Sequence, residues 1–327
     1  MAKILATATL QGGAATAAGL DLLGLAAELA GASGGSVTVL ALGAGARAVA
    51  QSLLAQGADE VLCSEEPALA QSPSEAGLAA LLEAARQVQP ELLLLATDSL
   101  GRDWAPRVAA RLAAGIVTEA TGVAFEAGRF VGTRPVFGGK AVARMAARTK
   151  VAVMTVRPGA GSAKPPDAAG QGSGGVRDLG LEITLQPDWP EVVRREVEAV
   201  SGPRLEEAKI IVSGGRGVGG PEGFRVLQEL AEELGAAVGA SRAAVDEGWV
   251  PAAWQIGQTG KAVAPDLYIA VGISGASQHM VGCSRAKTLV AINTDPDALI
   301  FETAQLGLIA DYREALPALA QALRESS

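Results

Sequence analysis

Residues 208–235 read AKIIVSGGRGVGGPEGFRVLQELAEELG. A short apolar, β-branched run leads into crowded glycines, and Phe224, Leu227, Leu230 and Leu234 then recur at helical spacing. Strand, tight turn and helix in succession are the repeating unit of a parallel sheet covered by helices. The turn Gly215-Arg216-Gly217-Val218-Gly219-Gly220 satisfies GxGxxG. Such glycines let backbone approach a pyrophosphate, and the amides at a helix start attract anions. In a chain with 41 glycines the pattern alone does not separate a dinucleotide site from a structural turn. A nicotinamide site also wants an acid at a strand end ~20 residues on. Asp246 comes later and in a different setting, which points toward FAD or an ADP-type ligand.

Downstream, "AAVGASRAAVDEGWVP", "DLYIAVGIS" and "TLVAINTD" read as further strands with their C-terminal loops, and "REALPALAQALRE" as a closing helix. Upstream, the apolar runs "SVTVLALG", "ADEVLC", "ELLLLAT" and "VAVMTVRPG" alternate with Ala/Leu-rich helical stretches. Continuous rather than alternating apolar strands indicate burial on both faces. The stretch 129–159 carries several short strands with glycine turns, which suits an antiparallel excursion beside that sheet. Residues 160–175, rich in Gly, Pro, Ala and Ser, read as a surface loop. Order resumes at "RDLGLEITLQPDW" before the second series. The expected architecture is therefore α/β: two domains, each on a mainly parallel Rossmann-like sheet. The boundary falls near Val197 to Arg204, giving domains 1–197 and 198–327, with no internal repeat.

Composition narrows the function. A hydrophobic fraction of 49% supplies ample core, and with only 3% aromatics that core must rest on Ala, Val, Leu and Ile. The balance of 27 basic against 35 acidic residues, a net charge of −8, argues against nucleic-acid binding. Cys63 and Cys283 offer neither a disulfide framework nor metal-ligand spacing, and read as small buried hydrophobes. The start "MAKILATATL" lacks a secretory leader's apolar region, and no run reaches the ~18 apolar residues of a spanning helix. A protein of the cytoplasm or a matrix-like compartment, without membrane insertion, is expected, and cytoplasmic is the reading taken.

Ligands of open α/β sheets lie beyond the carboxyl ends of the strands. The polar residues there are Arg216, Ser241, Arg242, Ser274, Gln278, His279, Asn293 and Asp295. Singly, each is also compatible with a loop residue or a helix cap, as Ser274 is with capping the helix that follows. Together they form a set of donors with little acid, suited to an anionic cofactor. His279 is the single histidine of the chain.

The segment "QIGQTGKAVAPDLYIAVGISGASQHMVG" resembles the signature of the electron transfer flavoprotein alpha subunit. The resemblance continues, in order, through "VSGGRGVG", "VGASRAAVDEGWVP", "TLVAINTDPDALIF" and "LGLIADYREALP". "GRDWAPRVAARLAAGIVTEATG" and "TRPVFGGKAVA" are similar to weaker motifs of the first half. One departure is Ser277, where many members carry a branched apolar residue; a packing difference is expected there, not lost binding.

The resemblance implies a heterodimer holding one FAD, with AMP in the smaller beta subunit, which completes the docking surface. By motif match the FAD shell comprises Arg216, Ser241, Arg242, Ile256, Gly257, Gln258, Thr259, Ser274, Gly275, Ala276, Ser277, Gln278, His279, Asn293, Asp311 and Tyr312. His279 is then the donor to the flavin N1 and C2-carbonyl edge, where charge gathers on reduction. Arg242 is expected beside the ring. A unit charge ~4 Å away contributes about 4 kcal/mol at an effective dielectric of ~20. At ~59 mV per ~1.4 kcal/mol that is roughly 170 mV. A neutral hydrogen bond, worth about 1 kcal/mol, would move the potential far less. Thr259, Ser241 and Gln258 are expected to orient the ring and ribityl chain, and Arg216 with the glycine turns to serve the phosphates.

No Ser/His/Asp relay and no paired carboxylates at suitable spacing are visible. The expected role is an electron carrier without substrate turnover. Its donors would be flavin dehydrogenases, such as those acting on acyl-CoA, and its acceptor a quinone oxidoreductase at the membrane. The alternatives are a non-redox regulatory protein binding an adenine nucleotide and, weakened by the missing ribose-binding acid, an NAD-linked enzyme.

Overall fold

The computed structural model describes residues 1–137, 141–161, 175–194 and 204–326. They fall into two compact units, Met1–Glu196 and Val197–Ser327. The boundary expected from sequence lies outside the described residues apart from Arg204, as does most of the expected surface loop, residues 162–174.

The first unit opens with β1 (Lys3–Ala8), a small ribbon of β2 (Leu10–Gln11) and β3 (Ala14–Ala15), and α1 (Ala17–Ser33). It continues with β4 (Ser36–Leu42), α2 (Ala46–Ala55), β5 (Glu60–Ser64), α3 (Ala68–Gln71), α4 (Pro73–Val88) and β6 (Leu92–Ala96). Then follow α5 (Ser99–Arg111), β7 (Gly115–Ala120), β8 (Gly122–Glu126), β9 (Arg129–Val136), β10 (Ala141–Ala146), β11 (Ala152–Val156) and β12 (Val176–Asp178). The main sheet runs β12-β5-β4-β1-β6-β11-β7, and every neighbouring pair is parallel. Side chains alternate across it: Ile4, Ala6 and Ala8 join one core with α1 and α2, and Leu5 joins the other with α4 and α5.

Two readings of this unit needed the third dimension. "MAKILATATL" supplies the central strand β1, although its sequence was informative only about a leader. The 129–159 excursion divides: β8, β9 and β10 pair antiparallel, whereas β11 returns to the parallel sheet between β6 and β7. Beyond β12, residues 179–194 form no helix or strand. Their alternating Leu181, Ile183, Leu185 and Trp189 pack as an extended cover on the α4/α5 side.

The second unit comprises β13 (Ile210–Gly214), α6 (Pro221–Leu234), β14 (Ala237–Ala240), α7 (Arg242–Asp246) and β15 (Leu267–Val271). It ends with α8 (Ser277–Cys283), β16 (Thr288–Asn293), β17 (Leu306–Ile309) and α9 (Tyr312–Ser326). Its sheet, β14-β13-β15-β16-β17, is parallel throughout. The chain steps from β13 to β14 on one side and resumes at β15 on the other. This reversal opens a crevice beyond the strand ends between β13 and β15. Helix α6 starts with Pro221, stops at left-handed Gly235, and buries Phe224, Leu227, Leu230 and Ala231 against the sheet.

Candidate functional site

The crevice is an open cleft of about 370 Å³, within the usual size range of cofactor sites. Its walls follow four strands: Gly215, Arg216 and Gly217 after β13, Ser241, Arg242 and Ala243 after β14, Gly272, Ile273, Ser274, Ala276, Gln278 and His279 after β15, and Asn293 with Asp295 after β16. All eight polar strand-end residues picked out from the sequence line it.

The floor is built from glycine. The Gly215 amide donates to the Val271 carbonyl at 2.8 Å, and the Gly217 amide to the Gly272 carbonyl at 3.0 Å. The Val218 and Gly219 amides bond back into the turn, to Gly215 and Arg216. Four amides of GxGxxG thus already have protein acceptors, and the glycines serve close packing. At Gly214 a Cβ would lie 2.6 Å from the Phe224 ring, and at Gly217 it would lie 2.9 Å from Gly272. The amides of Ser274 to Gln278 differ, for among the described residues they have no acceptor. Ser274 is no cap either, since α8 begins from Ala276 without a side-chain cap.

The other motif residues sort by contact. Ser241 caps α7, accepting from Ala244 N at 3.4 Å, and keeps its own proton for a ligand. Asn293 is engaged at both polar atoms: Nδ2 donates to the Ile273 carbonyl at 3.0 Å and Oδ1 accepts from Asp295 N at 3.1 Å. Ile256 is buried in the core, and the Gln258 amide donates to the Gln278 carbonyl at 2.7 Å. Gly257 packs so tightly on this turn that a Cβ would lie 2.9 Å from the Gln278 carbonyl. The "IGQT" segment therefore braces the "SGASQH" turn, with Gln258 and Thr259 exposed and the Thr259 hydroxyl accepting from Gln255 at 2.9 Å. Gly275, at φ +84, lies against the Ile300 backbone, and Ser277 starts α8. Tyr312 is buried, and its hydroxyl donates to the Val218 carbonyl at 2.8 Å while Asp311 accepts from Arg313 N. Ile256 to Thr259, Gly275, Ser277, Asp311 and Tyr312 do not line the cleft.

Two arginines face a single acid in the lining. Arg216 is exposed and forms no ion pair among the described residues. Arg242 differs from the bare charge expected: its Nε sits 3.2 Å from Asp246 Oδ2, and both side chains are mostly exposed. Solvent and the carboxylate thus weaken its field.

His279 is 7% exposed. Its Nε2 lies 2.9 Å from the Tyr268 hydroxyl, and its Nδ1 is buried with no hydrogen bond among the described residues. Burial pulls its pKa down to about 4, partly opposed by the nearby Ile256 backbone, so the ring is neutral at neutral pH. Among the described residues no carboxylate hydrogen-bonds the ring. Burial also pushes the Tyr268 phenol well up and the Cys283 thiol to about 12. Among the described residues no cluster of His, Cys, Asp and Glu suits a metal, and no helix is long and apolar enough to cross a membrane.

An electron-poor cleft at the topological switch point fits an anionic, nucleotide-like cofactor: two arginines, free amides, several hydroxyl and amide groups, and one orphaned imidazole nitrogen. Sequence reasoning missed Gly272, Ile273 and Tyr268. Gly272 signals itself as a glycine directly after an apolar strand, and Tyr268 as a phenol inside one.

These features define an α/β protein with a nucleotide-type cleft at the switch point of its second sheet. Comparison with known proteins gives the family. The electron transfer flavoprotein FAD-binding domain matches residues 204–284, and the electron transfer flavoprotein domain matches residues 4–178. The electron transfer flavoprotein subunit alpha of Thermoanaerobacterium thermosaccharolyticum is 40% identical, over 94% of this chain and 93% of its own. That of Bacillus subtilis is 41% identical over 89% and 88%. The probable mitochondrial subunit alpha of Caenorhabditis elegans is 40% identical over 89% and 85%. The chain belongs to the electron transfer flavoprotein alpha subunit family.

Proposed function

We propose that this chain is the FAD-holding subunit of a heterodimeric electron transfer flavoprotein. It carries single electrons from flavin dehydrogenases, such as acyl-CoA dehydrogenases, to a quinone oxidoreductase at the membrane, and works in the cytoplasm without substrate turnover. Residues 198–327 hold the FAD. Residues 1–197 meet the beta subunit, which carries AMP.

One observation carries this reading: the donor-rich cleft at the strand ends lies mostly within the residues that match the FAD-binding domain. When bound, the flavin supplies the redox chemistry; the protein binds it, orients it and sets its potential. Arg216 and the amides of Ser274 to Gln278 suit the phosphates, and Ser241 and Gln278 the ribityl chain. Arg242 and His279 suit the ring. Asn293, Tyr312 and the Ile256 to Thr259 loop, with Gly275, Ala276, Ser277 and Asp311, hold these turns in place.

The test is an absorption spectrum of this chain co-expressed with its beta subunit, followed by stepwise reduction. Flavin near one per heterodimer, with its potential lowered in His279→Ala, is expected. A folded, colourless heterodimer that releases an adenine nucleotide on denaturation would instead support a regulatory role.

A further inference from the structure

The Tyr268–His279 pair is not explained by packing alone. Tyr268 lies on β15, entirely buried, and its ring centroid is 6.1 Å from that of His279 at a 59° tilt. Such a phenol in a strand core costs free energy unless its proton finds an acceptor. Three groups surround that hydroxyl. Cys283 Sγ is a weak acceptor whose own proton is directed to the His279 carbonyl at 3.8 Å. Ser213 Oγ, on the neighbouring strand, lies close enough to favour the phenolate slightly but completes no hydrogen bond. His279 Nε2, at 2.9 Å, is the strongest acceptor of the three.

A neutral imidazole has one N–H and one lone pair, and the partner of one nitrogen decides the state of the other. We propose that Tyr268 is a positioning residue for the cleft: its hydroxyl donates to Nε2 of His279 and so places the ring proton on Nδ1. Among the described residues Nδ1 completes no hydrogen bond, although the Ile256 backbone lies near the ring, and it is therefore the atom left for a ligand. It becomes a fixed donor to an electron-rich oxygen or nitrogen of the cofactor. The reverse tautomer would make Nδ1 an acceptor, mismatched to a carbonyl edge that gains charge on reduction. Tyr268 thus prepares the donor before the ligand arrives. The identity of the acceptor rests on the flavin reading above, but the tautomer is a property of this chain by itself.

The single histidine makes the test direct. The untagged full-length chain, freed of nucleotide and labelled with 15N-histidine, gives one pair of ring nitrogens in a long-range 1H–15N correlation spectrum. The expected wild-type spectrum has a pyrrole-type Nδ1 and a pyridine-type Nε2. In Tyr268→Phe, which keeps the ring, the proton should move to Nε2 in most molecules. Reconstituted with FAD, that variant should bind roughly fivefold more weakly, the equivalent of one neutral hydrogen bond. A protonated Nε2 in the wild type, or an unchanged tautomer in Tyr268→Phe, overturns the proposal. If the variant fails to fold, the wild-type spectrum alone decides. A wild-type chain with Nδ1–H that takes up no FAD upholds the role of Tyr268 and sinks the flavin reading.

Discussion

The amide of Gly217 donates to the carbonyl of Gly272 across 3.0 Å, so the glycine turns that end β13 and β15 touch directly beneath the cleft. Gly272 sits at φ +61, and a Cβ there would lie 2.7 Å from the Gly217 carbonyl carbon. Gly272→Ala should therefore destabilise the chain by about 2–4 kcal/mol through strain and overpacking, and lose its flavin. Gly235, at φ +60 with nothing within 4 Å, is the control. Gly235→Ala should cost only about 1 kcal/mol, the left-handed penalty alone, and keep its flavin. Urea denaturation with the flavin-to-protein ratio checks both. Equal behaviour of the two variants would show that contact with Gly217 is not what constrains Gly272.

Burial of His279 ties stability to pH. Its pKa falls from 6.5 in the unfolded chain to about 4 when folded, so between those values the unfolded state binds more protons. Stability therefore rises with pH: the contribution is fully present above about 6.5 and is lost as pH falls toward 4. From pH 7 to pH 5 the loss from this group is on the order of 2 kcal/mol. Denaturation at both pH values, for wild type and His279→Asn, isolates the term, because other groups titrate alike in both. The same acid sensitivity in His279→Asn would refute it.

Much of the second unit was legible because strand-end position follows from strand order in a parallel sheet. Arg216, Ser241, Ser274, His279 and Asn293 could be placed on one rim without coordinates. The use made of each residue was less visible. Asn293 lines the site and Tyr312 lies behind it, but Asn293 Nδ2 and the Tyr312 hydroxyl are committed to backbone carbonyls remote in sequence. The free charge assigned to Arg242 ignored Asp246, one helical turn away, because the short helix α7 was read as part of a strand and its loop. In the first unit, the central strand β1 was overlooked because its alanines and threonines look unremarkable until both faces are covered.

Packing in the first unit has an equally local test. Gly77 on α4 faces Trp104 on α5, and a Cβ would lie 2.1 Å from Cζ2 of that ring. The ring cannot easily move, since Trp104 Nε1 donates to the Ser74 carbonyl at 2.8 Å. Gly77→Ala should destabilise the protein by about 1–3 kcal/mol while leaving flavin affinity unchanged. In the double variant Gly77→Ala with Trp104→Leu, the added methyl should cost much less than it does alone. Thermal denaturation of the four-member cycle reads the coupling, and simple additivity would count against direct contact.

The Arg242–Asp246 pair separates electrostatics from stability. Both side chains are more than half exposed, and such pairs contribute about 0–1 kcal/mol, so Asp246→Asn should scarcely change the unfolding midpoint. Their effect on a nearby flavin should be larger and opposite in sign. Arg242→Ala removes a screened positive charge and should lower the reduction potential by roughly 20–60 mV, the equivalent of about 1 kcal/mol at the ring. Asp246→Asn unmasks that charge and should raise the potential. Both shifts should shrink at high salt, since exposed charges are screened. Potentiometric titration of the two variants decides. A drop near the roughly 170 mV of an unscreened charge would mean that Asp246 turns away from Arg242 once the flavin is bound. No shift in either variant would place Arg242 away from the ring.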